Sequence, residues 1–214
     1  MTNLLANVMN SEPQPSLPHL SAVILAGGEG RRMGGVDKGL VVYHHRPLIE
    51  WVLHALPPEV SQIVISCNRN LDVYAAYGDT VSDAPSQDRY AGALAGIRAG
   101  LANCRAEWVI VSPCDLIFYP TRFAAVAWAG LSTHLAQHPT AARIAVAHDG
   151  ERRQNLCLLL HRDEAAELAA ALQRSPAVHA WLDARGALSI PWDDLRAFTN
   201  VNDLATLQQL DAED

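Results

Sequence analysis

The stretch Ser21–Leu40 reads SAVILAGGEGRRMGGVDKGL. It opens with SAVIL, a short apolar run that gives way to glycine after Ala26, the pattern of a buried strand feeding a loop. From Leu25 to Leu40, six of sixteen residues are glycine, and Arg31, Arg32 and Lys38 lie among them. Glycine tolerates positive φ and lets backbone N–H groups approach a ligand. Arginine and lysine supply charge for anionic oxygens. Such a loop is either a solvated surface segment or an anion-binding concavity. Its position after a strand favours the second, because ligands bind at strand ends in open α/β sheets.

The rest of the chain alternates in the same way. Pro47 opens PLIEWVLHAL, where its missing N–H is harmless. Leu48, Ile49, Trp51, Val52, Ala55 and Leu56 give this helix an apolar face, and Pro57-Pro58 ends it. QIVIS (Gln62–Ser66) predicts a second strand, followed by a short helix or loop and then TVSD (Thr80–Asp83) as a short strand. YAGALAGIRAGLA (Tyr90–Ala102) predicts a helix with Gly92, Gly96 and Gly100 on one face, fitting either close packing on the sheet or a ligand at Gly92. WVIVS (Trp108–Ser112) predicts a central strand, followed by a helix over roughly Thr121 to Gln137. Asp149-Gly150 predicts a hairpin returning as Leu156–Leu160. Asp163–Gln173 and Ala177–Ala184 predict helices, with Gly186 as a stop, and a last helix is expected near Asp203 with Asn202 as its N-cap. Strands alternating with helices imply an α/β sandwich whose sheet is mostly parallel, made mixed by the hairpin.

The chain has 214 residues, enough for one sizeable core, and half of them are apolar. Net charge is −7, from 16 basic and 23 acidic residues, with most arginines scattered, which argues against a nucleic-acid surface. Cys67, Cys104, Cys114 and Cys157 form no C-x-x-C pair, so reduced thiols in a cytoplasmic protein are expected. No apolar run approaches the ~20 residues of a membrane span, so no membrane association is expected. Residues 1–20 lack a signal-peptide pattern and, with Pro13, Pro15 and Pro18, read as a flexible extension before a single domain at 21–214.

Two common phosphate motifs fail. The dinucleotide fingerprint requires glycine at the position of Met33, and Lys38 lies in no P-loop, since it follows Asp37 and precedes Gly39. Asp115, directly after WVIVSPC, is placed to hold Mg²⁺ near phosphates. Asp83, also after a strand, is a lesser candidate that equally suits a turn. The histidines show no metal spacing, and His44-His45 falls in a turn. Cys114 reads as an inert buried thiol, and Ser112 has no nucleophile elbow around it. In FTNVND, Asn200 and Asn202 are spaced to point to one side of an extended segment.

These residues carry a resemblance. LAGGEGRRMGGVDKGL resembles the signature of the molybdenum cofactor guanylyltransferases, supported by SCNR (66–69), ALAGI (93–97), SPCDLIFYP (112–120), HDGERRQ (148–154) and FTNVND (198–203). The resemblance implies a single-domain, Rossmann-like three-layer fold of the nucleotidyltransferase type. It implies transfer of GMP from GTP to molybdopterin or molybdenum-molybdopterin, with Mg²⁺ and release of pyrophosphate. Transient contacts with other cofactor-biosynthesis proteins and acceptor enzymes follow from the same likeness. By position, Leu25, Ala26, Gly27, Gly28, Ser66 and Asp83 are implied at the guanine nucleotide, with Arg32 and Lys38 on its phosphates and Asp115 at the metal. Gly92, Gly96, Asn200 and Asn202 are placed on the pterin side. The likeness further implies that the N-terminal half mainly takes GTP and the C-terminal half the pterin. The chain departs from the family at Ser66, often asparagine there, at Ala93, usually proline, and at Asn155, often proline. A molybdopterin cytidylyltransferase typically shows L-A-A-G in place of Leu25–Gly28, and a sugar-phosphate nucleotidyltransferase usually carries more chain. A non-catalytic carrier on the same fold would need neither Asp115 nor Lys38.

Overall fold

The first strand, β1 (Leu20–Leu25), is buried along its length, as a run of apolar and β-branched residues with cover on both faces should be. In the computed structural model, which describes residues 15–28, 30, 34–82, 92–175, 177–194 and 196–201, it lies between two parallel neighbours. Ala22 pairs with Ile63 of β4 (Val60–Ser66) on one side and with Ile110 of β6 (Trp108–Pro113) on the other. Outside β4 runs β5 (Asp79–Val81), also parallel. On the far side the hairpin of β7 (Ile144–His148) and β8 (Arg153–His161) inserts, with β8 antiparallel to both β6 and β7. The sheet closes with β9 (Leu188–Pro191), parallel to β7, giving the order β5-β4-β1-β6-β8-β7-β9. The expected mostly parallel, mixed sheet is observed, with β8 alone reversed.

Alternation along β1 divides the core into two layers. Ala22 and Ile24 face a cluster with Ile49 and Val52 of α1 (Leu48–His54) and Phe123, Ala127 and Leu131 of α4 (Phe123–Gln137). Val23 faces the other cluster, with Leu94, Ile97 and Leu101 of α3 (Gly92–Asn103), Leu168 of α5 (Ala165–Arg174) and Leu182 of α6 (Val178–Arg185). The result is a three-layer α/β/α sandwich. Gly100 lets α3 sit directly on β1, because a Cβ there would meet Val23 Cγ1 at 2.4 Å.

Several boundaries differ from expectation. Pro47 does not begin the first helix. It is extended (ψ 143°) and pairs with Val42, so that a two-stranded ribbon of β2 (Val42–Tyr43) and β3 (Arg46–Pro47) precedes α1. His44 and His45 both have positive φ (46° and 62°), the requirement of a two-residue hairpin turn. Arg162–Glu164 is a 3-10 turn before α5, not the start of one helix. Of the short helix or loop expected before Thr80, the helix forms, as α2 (Leu71–Tyr74). β9 was not anticipated; it is a brief edge strand ending in proline, with little pattern to read. Gly186 closes α6 with φ 68°, as expected of a left-handed stop. Most of the 1–20 extension and the helix expected from Asp203 lie outside the described residues.

Candidate active site

The chain leaves β1 through β4 and β5 on one side, then crosses back to β6 on the other, so the sheet's switch point lies beside β1. The ladder continues past the strand ends. Ala26 N–H donates to the Ser66 carbonyl (2.8 Å) and Cys114 N–H to the Leu25 carbonyl (3.2 Å). These bonds gather three strand ends around a cleft of about 340 Å³. Leu25, Ala26, Gly27 and Gly28 line it from β1, Ser66 from β4, and Cys114 and Asp115 from β6. Gly92 and Gly96 line it from the start of α3. The two explanations of the glycine spacing therefore divide along one helix: Gly100 packs on the sheet, while Gly92 and Gly96 border the cleft.

The glycine-rich loop is built on tight approaches. Gly30 has φ 64°, and a Cβ there would lie 1.9 Å from the Val36 carbonyl oxygen. Gly35 N–H closes the turn onto the Gly30 carbonyl at 3.0 Å. The loop then enters a 3-10 turn, Lys38–Leu40, that delivers Lys38 to the cleft. The preceding Asp37 is buried, and its carboxylate accepts from Tyr74 Oη and, at 3.0 Å, from Asn70 Nδ2. Burial first, then the neighbouring Cys114 and Asp37, push the Tyr74 phenol well up, so it stays a neutral donor.

Lys38 Nζ lies 3.1 Å from Asp115 Oδ2, with side-chain exposures of 25% and 11%. Their opposite charges attract more strongly in this partly desolvated site than they would in water. The segment Thr199–Val201 crosses the end of β6: Val201 N–H donates to the Asp115 carbonyl (2.9 Å), and Asn200 bridges to Leu116. Asn200 lines the cleft, and its buried Oδ1 has no hydrogen-bond partner among the described residues. Burial, reinforced by Asp115 and Asp37, holds the Cys114 thiol well above its ordinary range, which makes it an inert neighbour and not a nucleophile.

No group of three or more metal-ligating side chains exists among the described residues. Among the described residues the donors at the cleft include the Asp115 carboxylate and the Asn200 Oδ1, both hard oxygens. That set fits Mg²⁺, which commonly uses one or two carboxylates and completes its shell with water and substrate phosphates.

Of the residues singled out in the sequence, Leu25, Ala26, Gly27, Gly28, Lys38, Ser66, Gly92, Gly96, Asp115 and Asn200 line this one cleft. Arg32, Asp83 and Asn202 lie outside the described residues. Sequence reading missed Asn68, Ala93 and Leu156, which also line the cleft. The polar run SCNRN directly after QIVI was the available signal for Asn68, since it leaves the sheet at the same edge as the loop.

A glycine-rich loop, a lysine and a carboxylate at the switch point of a parallel sheet define an NTP-dependent transferase of the α/β type. The MobA-like NTP transferase domain matches over residues 22–188, and the chain belongs to that family. It is 39% identical over 201 residues to the molybdenum cofactor guanylyltransferase of Ralstonia nicotianae, covering 89% of this chain and 95% of that protein. It is 38% identical to the enzyme of the same name from Shewanella halifaxensis, covering 89% and 93%. Among solved structures, molybdopterin-guanine dinucleotide biosynthesis protein A from Archaeoglobus fulgidus superposes with a TM-score of 0.68 at 21% identity, over 90% of this chain and 97% of that one. A CMP:2-keto-3-deoxy-manno-octonic acid synthetase complexed with CTP shares the fold at a TM-score of 0.63 and 13% identity, over 91% and 97%.

Proposed function

We infer that this chain transfers GMP from GTP to molybdopterin, in its free or molybdenum-bearing form, giving the guanine dinucleotide and pyrophosphate. One observation carries this reading. The cleft unites Leu25–Gly28, Lys38 and Asp115 in a chain 39% identical, over most of its length, to a molybdenum cofactor guanylyltransferase.

Phosphoryl-type transfer depends on positioning and charge neutralisation more than on a covalent catalyst. A terminal phosphate oxygen of molybdopterin attacks the α-phosphorus of GTP, and the bond to the bridging oxygen of pyrophosphate breaks in line. The attacking oxygen is already anionic near neutral pH, so no general base is needed. This agrees with a cleft lined by neither histidine nor a reactive thiol among its described residues. The loop amides from Gly27 onward and the Lys38 ammonium bind the triphosphate, and Arg32 adds charge there. Asp115 and Asn200 Oδ1 would hold Mg²⁺, which when bound would neutralise charge on the phosphate oxygens. Leu25, Ala26, Ser66 and Asp83 hold the nucleoside. Gly92, Gly96, Asn200 and Asn202 border the pterin. The reaction belongs to the cytoplasm, where transient contacts with other cofactor-biosynthesis proteins and acceptor enzymes deliver and collect the pterin. No helix among the described residues is long and apolar enough to cross a membrane.

The test is incubation with molybdopterin, Mg²⁺ and GTP labelled at the α-phosphate. Label should appear on the pterin, with one pyrophosphate released per transfer. Pyrophosphate release without pterin labelling would overturn the acceptor assignment.

A further inference from the structure

Arg69 follows β4 and stands at the rim of the cleft without lining it. Its guanidinium donates through Nη2 to the Gly28 carbonyl (3.1 Å) and through Nη1 to the Gly35 carbonyl (2.9 Å). The two carbonyls lie at opposite ends of the glycine-rich loop. Among the described residues, the acceptors of the Arg69 guanidinium are these two loop carbonyls. A planar guanidinium with fixed donor directions can bridge two such acceptors, whereas an ammonium on a flexible stem cannot hold both in set geometry.

The same segment braces the far side of the loop. Asn70 adopts φ 52° and donates to Asp37 Oδ2, while Tyr74 Oη donates to Asp37 Oδ1. Asp37 immediately precedes Lys38, whose turn packs close: a Cβ on Gly39 would meet Tyr74 Oη at 2.6 Å. Residues 69–74 therefore tie down the loop at Gly28, Gly35 and Asp37. Gly28 lines the cleft, and a carbonyl held by a cation outside it is one fewer partial negative charge facing an anionic ligand. A glycine-rich loop left unclasped samples many conformations, and ordering it on binding opposes affinity.

We propose that Arg69 is a positioning residue for nucleotidyl transfer, clasping both ends of the glycine-rich loop so that it is preset for the triphosphate. The nucleotide named in the test rests on the guanylyl-transfer reading; the clasp itself does not. Arg69→Ala and Arg69→Lys in the full chain are compared with wild type by tryptic cleavage after Arg31 and Arg32 in nucleotide-free protein, and by steady-state kinetics. Both variants should be cut in the loop about tenfold faster, at a melting temperature within about 2 °C of wild type. The KM for GTP should rise about tenfold while the KM for molybdopterin stays constant. Unchanged loop cleavage with raised KM would mean direct contact with nucleotide and overturn the clasp. Faster cleavage with GTP KM within about twofold of wild type would overturn its link to binding. Should Arg69→Ala fail to fold, Arg69→Lys carries the same comparison. Wild type that makes no guanine dinucleotide refutes the substrate reading, and the cleavage comparison then still decides the clasp.

Discussion

The pair Lys38–Asp115 places a lysine and a carboxylate in contact at the point where the phosphates of a nucleotide are expected to sit. Each has an alternative partner when substrate arrives: phosphate for the lysine, a cation for the carboxylate. Asp115→Ala should therefore abolish turnover while the protein remains folded, since the loss amounts to several kcal/mol of transition-state charge stabilisation. Near-normal dinucleotide formation at saturating Mg²⁺ would show another residue holding the metal. Lys38→Ala should raise the KM for GTP far more than it lowers the melting temperature, because lysine acts here as a point charge on phosphate. A variant that unfolds easily but whose folded fraction is fully active would make Lys38 structural. Both residues were legible in sequence, one beside a glycine-rich loop and one at a strand's carboxyl end. Their mutual contact was not, because it joins residues 38 and 115 through the parallel pairing of β1 with β6. Arg69 escaped for the same reason: its partners lie across the β1–β4 pairing.

Elements carry a second set of consequences. α3 approaches β1 so closely at Gly100 that a methyl would fall 2.4 Å from Val23 Cγ1 and 2.7 Å from Cγ2. Val23 is wholly buried on a central strand and cannot retreat. Alanine gains about 1 kcal/mol in helix propensity, but overpacking of this kind costs about 1–3 kcal/mol. Gly100→Ala should thus lower stability in denaturant titration, and a stabilised variant would contradict the close packing. The same helix shows where periodicity stops informing. The spacing of three glycines placed them on one face but could not say which end met the sheet and which the cleft. Strands such as WVIVS were legible because β-branched runs buried on both faces look like nothing else. The ribbon at residues 42–47 was hidden behind Pro47, whose φ suits a helix start and an extended strand equally.

For the whole molecule, alternating strands and helices pointed to an α/β sandwich, and the order β5-β4-β1-β6-β8-β7-β9 realises it. That order is not written in any local pattern; it follows from which apolar faces cover one another. His161, at the end of β8, illustrates a global consequence of that burial. Burial, with Arg143 nearby, lowers its pKa below the ordinary 6.5, against a weaker upward pull from Asp163 and Glu107. Its Nδ1 accepts the Asp163 N–H at 3.3 Å, which requires that nitrogen to be unprotonated. The unfolded chain then takes up a proton at this site more readily than the folded one, so stability is fully present above the ordinary value and falls as pH drops through it. Denaturant titrations between about pH 8 and pH 5 should show this decline in wild type and a shallower one in His161→Gln. Identical slopes would remove His161 from the account.

This cleft is expected to select GTP over CTP for transfer to a molybdopterin acceptor. Wild-type protein is incubated with Mg²⁺, molybdopterin and equal concentrations of GTP and CTP, and the dinucleotide product is identified by mass spectrometry. Molybdopterin guanine dinucleotide should dominate, with matching pyrophosphate, and the product should be absent with Asp115→Ala. Preferential formation of the cytosine dinucleotide would contradict the account.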